Sequence, residues 1–250
     1  MKKIFQFLKY YFVTISTIYF YSVKKLAIGT HLFYFLKYQT NNNFVIIFDV
    51  GSNIGQTICQ IKKYFPKSTI YAFEPFLETF KKLKLNTKKY TNIHYNNFAF
   101  GDKQEEVLVD IITETSVSNS LLNKNNGNKD SIKQIVNSIT LDTFLSNNPN
   151  ITAIDLLKID TEGYDKKVLE GGNKNLRNGK VKFILTEVGL SKQNTKHVNI
   201  STMISYLEDL DFIFLGIYGL DIRHVFWGGH FGNALFIHKN YLGLLNNIVK

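Results

Sequence analysis

The chain has 250 residues, 44% of them hydrophobic, and a formal net charge of +10. That length suits one domain with a small appendage, and three prolines argue against long linkers. A single cysteine, Cys59, excludes an internal disulfide and a cysteine-based zinc cage, and the dispersal of the lysines argues against nucleic acid as a partner. Arginine stands only at Arg177 and Arg223, so lysine carries the basicity. The charge suits an anionic small molecule or a membrane surface, and a coding bias toward lysine, asparagine and isoleucine would produce it as well.

Residues 1–43 read as an N-terminal helical extension. Ile4, Leu8, Phe12, Ile15 and Tyr19 recur at helical spacing. The uncharged run from Tyr10 to Val23 is shorter than the ~20 residues of a membrane-spanning helix, and no small-residue cleavage site follows it. The expectation is an amphipathic helix packed on the domain, with an interfacial helix lying on a membrane surface as the alternative. The location expected is the cytoplasm, with peripheral membrane association through this helix as an option.

From Phe44 to the end, residues 44–250, short β-branched runs alternate with lysine-rich helical segments. "FVIIFDV" is expected to be a buried strand and residues 54–64 a helix. "STIYAFE" and "FLETFKKLKLN" repeat that pair, "NIHYNNFAF" gives a third strand, and "EEVLVDII" an additional one. Residues 113–135, polar and rich in asparagine, are expected to form a loop. "AIDLLKID", "YDKKVLEG" and "KVKFILTEV" read as strand, helix and strand, and "ISTMISYLEDL" as a helix before the closing strands "FIFLGIYG" and "NALFIHK". Such alternation implies an α/β fold, a mostly parallel sheet with helices on both faces. With no helix between the last two strands, one of them should run antiparallel.

Gly51 and Gly55 bracket the turn after the first strand, where glycine permits positive φ and close approach to a ligand. Ligands of open α/β sheets bind beyond the carboxyl ends of the strands. A dinucleotide fingerprint needs glycines where Asn53 and Gln56 stand, and no Gly-Lys-Ser/Thr of a P-loop follows. The stretch fits Asp-x-Gly-x-x-x-Gly, the form used for S-adenosylmethionine, which carries no phosphate. Glu74 ends the second strand at the right distance to accept hydrogen bonds from ribose hydroxyls, and Pro75 stops that strand.

"FDVGSNIGQ", "YAFEP", "NFAFGD", "ITLDTF", "DLLKIDTEGYDKKVLEGG" and "TEVG" occur in this order, and together they resemble the FkbM family of S-adenosylmethionine-dependent methyltransferases over roughly residues 44–238. The resemblance implies a class I methyltransferase, Rossmann-like fold: seven strands, the last antiparallel. It implies that Asp49, Gly51, Asn53 and Gly55 line the methionine end of the cofactor, that Glu74, followed by Pro75, holds the ribose, and that Ala99, Phe100 and Asp102 surround the adenine. Asp160 and Glu162 would face the transferred methyl.

Methyl transfer to a hydroxyl benefits from a general base. Asp160, Glu162, His224 and His230 are the candidates. Glu187 ends the next strand, so Asp160 and Glu187 also offer a pair of hard oxygen ligands that would suit Mg²⁺. Trp227 either stacks on a sugar ring or packs. The expected activity is O-methylation of a sugar, glycan precursor or similar small metabolite. A nicotinamide-dependent oxidoreductase and a non-catalytic membrane-associated binding protein stand as competing readings.

Overall fold

The computed structural model describes residues 32–40, 44–111, 132–221 and 230–245. The stripe Ile4–Tyr19, most of the 113–135 segment, His224 and Trp227 lie outside the described residues. The elements are α1 (Leu32–Gln39), β1 (Ile46–Val50), α2 (Gln56–Tyr64), β2 (Thr69–Phe73), α3 (Leu77–Thr87), β3 (Ile93–Asn96), β4 (Ala99–Phe100), β5 (Glu105–Ile111), β6 (Ile132–Ile139), α4 (Leu141–Asn147), β7 (Ile154–Ile159), α5 (Asp165–Glu170), α6 (Asn173–Arg177), β8 (Val181–Gly189), α7 (Ile200–Glu208), β9 (Phe212–Asp221) and β10 (Phe231–His238).

Seven strands form one sheet in the order β3-β2-β1-β7-β8-β10-β9. β3, β2, β1, β7 and β8 run parallel to one another, and β10 is antiparallel to both β8 and β9. This is the expected α/β sheet with its antiparallel last strand. The chain leaves β1 toward β2 on one side and returns as β7 on the other. The carboxyl ends of β1 and β7 therefore flank a switch point, the place where open α/β sheets bind ligands.

Side chains alternate along each strand between two apolar layers. One layer joins Phe48, Val50, Leu157 and Ile184 to Phe144 of α4, Val168 of α5 and Leu207 of α7. The other joins Ile47, Ile70, Leu156, Phe183 and Leu235 to Leu36 of α1, Ile58 and Ile61 of α2 and Leu83 of α3. The alternation has a consequence for charge. Asp49, Lys158 and Glu187 follow Ile47, Leu156 and Leu185 by two residues, so all three fall on the second face, at the carboxyl ends of adjacent strands. α1 belongs to this layer: Leu32, Phe33 and Leu36 are buried in it, and Phe35 meets Tyr218 of β9 with ring centroids 5.9 Å apart. Among the described residues, no helix is long and apolar enough to cross a membrane.

Two expectations need correction. "NIHYNNFAF" is not one strand: β3 stays in the main sheet, while β4 joins a second sheet ordered β4-β6-β5. The break falls at Asn97, whose side-chain amide donates to the carbonyls of Glu74 (2.9 Å) and Pro75 (3.1 Å) and draws the chain away from the sheet. The 113–135 segment is not loop throughout, because its end enters β6, antiparallel to β5. There Val136 is buried beside Val107 and Val109, and that contact outweighs the polar composition. α4 follows, with the Thr140 hydroxyl accepting from the Thr143 N–H at 3.0 Å as its N-cap.

Candidate active site

A cavity of about 270 Å³ opens at the carboxyl ends of β1, β2, β7 and β8. Its first wall is the turn after β1. Gly51 has φ +74°, and a side chain there would put Cβ 1.9 Å from the Asp160 carbonyl oxygen. Only glycine fits this crossing of two strand ends. Asn53 follows at φ 49°, and its side-chain oxygen accepts from the next N–H, Ile54, at 2.8 Å, which lets asparagine hold a left-handed conformation. Gly55 has φ +93°, and a Cβ there would meet Thr87 and Leu83 of α3. This second glycine fits one helix against another rather than a ligand.

Every N–H from residue 51 to residue 55 already has an acceptor. Gly51 and Ser52 both donate to the Phe73 carbonyl (3.0 Å each), and Gly55 donates to that of Ser52 (2.9 Å). Asn53 N–H donates to Glu74 Oε2 (2.9 Å), and Ile54 to the Asn53 side chain. The other Glu74 oxygen, Oε1, accepts from Phe76 N–H at 3.0 Å. Glu74 is 4% exposed, and burial pushes its carboxyl up to about 7 against the pull of these two N–H donors. Pro75, Phe76, Phe98, Ala99 and Phe100 make the apolar part of the wall.

The opposite wall is charged. Lys158, in the buried strand β7, lies 3.1 Å from Asp49 Oδ1, 3.2 Å from Asp160 Oδ2 and 3.3 Å from the Gly51 carbonyl. Burial opposes its charge, but Asp160 and Asp49 more than reverse this and hold its pKa above the ordinary lysine value. Glu162 has φ 56° and pairs with Lys196. Glu187 is pushed up to about 7 by burial, with Asp160 and Asp165 adding to the rise and His197 opposing it.

Of the residues named from sequence, Gly51, Asn53, Glu74, Pro75, Ala99, Phe100, Asp160 and Glu162 line this cavity; Asp49, Gly55, Asp102 and His230 do not. Asp49 has no exposed surface and sits behind the wall, against Lys158. Asp102 turns to Lys167 at 2.6 Å. His230 accepts the Leu190 N–H at its carbonyl, 3.2 Å, and its Nδ1 is buried without a partner. Lys158, Tyr164, Phe98 and His197 carried no role in the sequence reading. Lys158 had a signal: one lysine inside "IDLLKI" must be buried, and a buried ammonium needs carboxylates nearby. Glu162, Glu187 and His197 bring one ligand atom each to within 4.8 Å of one another. Asp160, the partner expected for Glu187 around Mg²⁺, is not in that group.

A model of the Methyltransferase FkbM domain matches residues 49–214. The chain belongs to the FkbM methyltransferase family. The FkbM match starts at Asp49, the partner of Lys158, and contains every residue of the cavity wall. It is narrower than the 44–238 of the motif resemblance. A curated relative, "Methyltransferase 1" of Beauveria bassiana (strain ARSEF 2860), is 25% identical over 148 residues, 52% of this chain and 59% of its own. The crystal structure of Methyltransferase FkbM from Methylobacillus flagellatus KT superposes with a TM-score of 0.51 at 12% identity, covering 79% of this chain and 44% of that one. Magnesium protoporphyrin IX methyltransferase from Synechocystis PCC 6803, a structure with S-adenosylmethionine bound, gives 0.50 at 6% identity, over 83% and 76%. The last two establish the class I methyltransferase fold. The FkbM chain described here spans 44% of the length of the Methylobacillus protein and 59% of that of the Beauveria protein.

Proposed function

We propose that this chain transfers a methyl group from S-adenosylmethionine to a hydroxyl of a sugar, a glycan precursor or a similar small metabolite. The observation that carries the cofactor reading is the state of the glycine turn. Five consecutive N–H groups, residues 51–55, are spent on internal acceptors. A diphosphate needs such donors free, so the turn suits a nucleoside without phosphates and counts against a nicotinamide dinucleotide. The rest of the wall fits the same molecule. Each Glu74 oxygen holds one N–H and keeps lone-pair capacity for a ribose hydroxyl. Phe98, Ala99 and Phe100 offer an apolar slot for a base. Asp49 and Asp160 against Lys158 leave one negative charge in excess, which suits a cationic sulfonium and ammonium.

When bound, S-adenosylmethionine supplies a methyl group on a positively charged sulfur, an activated electrophile. What remains for the protein is orientation, exclusion of water and acceptance of one proton. Glu74 would hold the ribose, and the Gly51–Asn53 turn the methionine end. Lys158 fixes the Asp160 carboxylate where it and Glu162 can orient an incoming hydroxyl. The preference for sugars rests on family resemblance.

Calorimetry with S-adenosylhomocysteine and NAD tests the cofactor, and labelled S-adenosylmethionine with a panel of nucleotide sugars and glycans tests the acceptor. Micromolar binding of S-adenosylhomocysteine, ~8 kcal/mol, with none of NAD, and label on acceptor oxygen are expected. Binding of NAD in preference would overturn the cofactor reading; label on nitrogen alone would overturn O-methylation.

A further inference from the structure

We propose that Glu187 takes the proton of the acceptor hydroxyl on its cavity-side oxygen, and that His197, with its Nε2 lone pair set against the buried Oε2, leaves that carboxylate without a donor and so keeps it basic. This rests on the methyl-transfer reading above.

The argument starts from Asn194. Its side-chain oxygen accepts the N–H groups of Lys196 (3.1 Å) and His197 (2.9 Å), and its side-chain nitrogen donates to the His230 carbonyl (3.3 Å). The amide orientation is therefore fixed by backbone groups. That same oxygen lies 3.1 Å from His197 Nδ1. An oxygen there requires a proton on Nδ1, and the neutral ring then carries its lone pair on Nε2. The ring cannot turn over freely: it is 8% exposed and stacks on Phe231 at 4.7 Å and 22°.

Nε2 faces Glu187 Oε2 at 3.4 Å, and Oε2 has no hydrogen-bond donor. Two lone pairs thus face one another inside the protein. Such a pair has room for one proton and is without it when the carboxylate is ionised and the imidazole neutral. Glu187 lines the cavity, on the strand face that also carries Lys158.

The neighbouring carboxylates are engaged. Asp160 is on Lys158, and Glu162 is on Lys196. Asp165 accepts from the hydroxyls of Thr161 and Thr186, both at 3.0 Å. These groups, with Asn233 across from Glu187 on β10, are what face the pair from the adjoining elements. Burial and the charges of Asp160 and Asp165 raise the Glu187 carboxyl above the ordinary carboxylate range, which makes it a better base. Glu162, Glu187 and His197 are close enough to share a cation, but the Lys196 ammonium already supplies the positive charge against Glu162. The arrangement therefore favours a proton.

In the step, the hydroxyl oxygen bonds to the methyl carbon. The carbon–sulfur bond breaks with its electron pair left on sulfur, and the O–H proton moves to the cavity-side oxygen of Glu187. Release of that proton to solvent resets the pair.

The test is nitrogen-15 NMR of the histidines in the full chain with S-adenosylhomocysteine, from pH 5 to 9, on the wild type and Glu187→Gln. The wild type should show His197 protonated on Nδ1 at high pH, with an Nε2 resonance that moves in Glu187→Gln, where a side-chain amide can donate to that lone pair. Glu187→Gln should bind S-adenosylhomocysteine within twofold of wild type and lose ~10²–10⁴-fold in turnover, the scale of a lost general base. His197 protonated on Nε2, an unmoved Nε2 resonance, or wild-type turnover in Glu187→Gln overturns the proposal. So does activity that chelator removes and Mg²⁺ or Mn²⁺ restores, since a cation would then occupy the gap. A wild type that binds no S-adenosylhomocysteine defeats the methyl-transfer reading instead, while the histidine spectra still decide the state of the pair.

Discussion

Lys158→Met should destabilise the fold by about 3–5 kcal/mol, the scale seen when one partner of a buried ion pair is removed. Lys158 lies 3.1 Å from Asp49 and 3.2 Å from Asp160. At an effective dielectric of about 20 each attraction is worth ~5 kcal/mol before the cost of desolvation is counted. The two aspartates differ in what they can do once the lysine is gone. Asp160 has a side chain 34% exposed and can turn to water. Asp49 has no exposed surface, and neither of its oxygens has a hydrogen-bond donor of good geometry, so its charge would stand buried and alone. For a chain of this size ~1 kcal/mol moves Tm by roughly 2–4 °C, so a fall of roughly 6–20 °C is expected. Adding Asp49→Asn removes the stranded charge, and the double variant should recover most of the loss. Urea and thermal unfolding of wild type, both single variants and the double variant give the coupling directly. A single lysine variant within about 1 kcal/mol of wild type, or a double variant no more stable than it, would refute the account.

Glu74 links stability to pH. Its folded carboxyl lies near 7 against an ordinary 4.5, so the folded state binds the extra proton between those values. Stability should therefore fall as pH rises from about 4.5 to about 7, and Glu74→Gln should flatten that fall in urea titrations; an unchanged slope would contradict it. The same variant should weaken S-adenosylhomocysteine by about 1–3 kcal/mol in calorimetry. Leu36→Ala removes a fully buried side chain of α1 that does not line the cavity. It should cost about 2–5 kcal/mol in chemical unfolding and leave cofactor affinity within threefold; a loss of affinity with normal stability would place α1 in the site.

Local signals made the switch point readable. Short runs rich in β-branched, aromatic or leucine residues marked β1, β2 and β7, and a glycine after the first with a glutamate after the second put both at the carboxyl edge. What escaped depends on contacts between distant segments. Asn97 breaks "NIHYNNFAF" only because Glu74 and Pro75 stand opposite. β6 forms because Val136 finds β5, a pairing hidden by the asparagine-rich stretch before it. Gly55 looked like part of a ligand cradle, yet the space it leaves is filled by Thr87 and Leu83. Asp49 was legible as important but not in its role: it has no exposed surface and sits behind the cavity wall, against Lys158. His197 had no motif around it; only the fold carries it to Glu187.

The crossing at Gly51 bears on how a lineage of such chains would drift. The glycine is demanded by the carbonyl of Asp160, an atom every residue at position 160 would supply, and by a backbone angle hostile to side chains. No bound molecule enters that requirement. A descendant that abandoned catalysis and kept only its architecture would still be held to glycine there. Retention of Gly51 therefore speaks for the scaffold and not for activity.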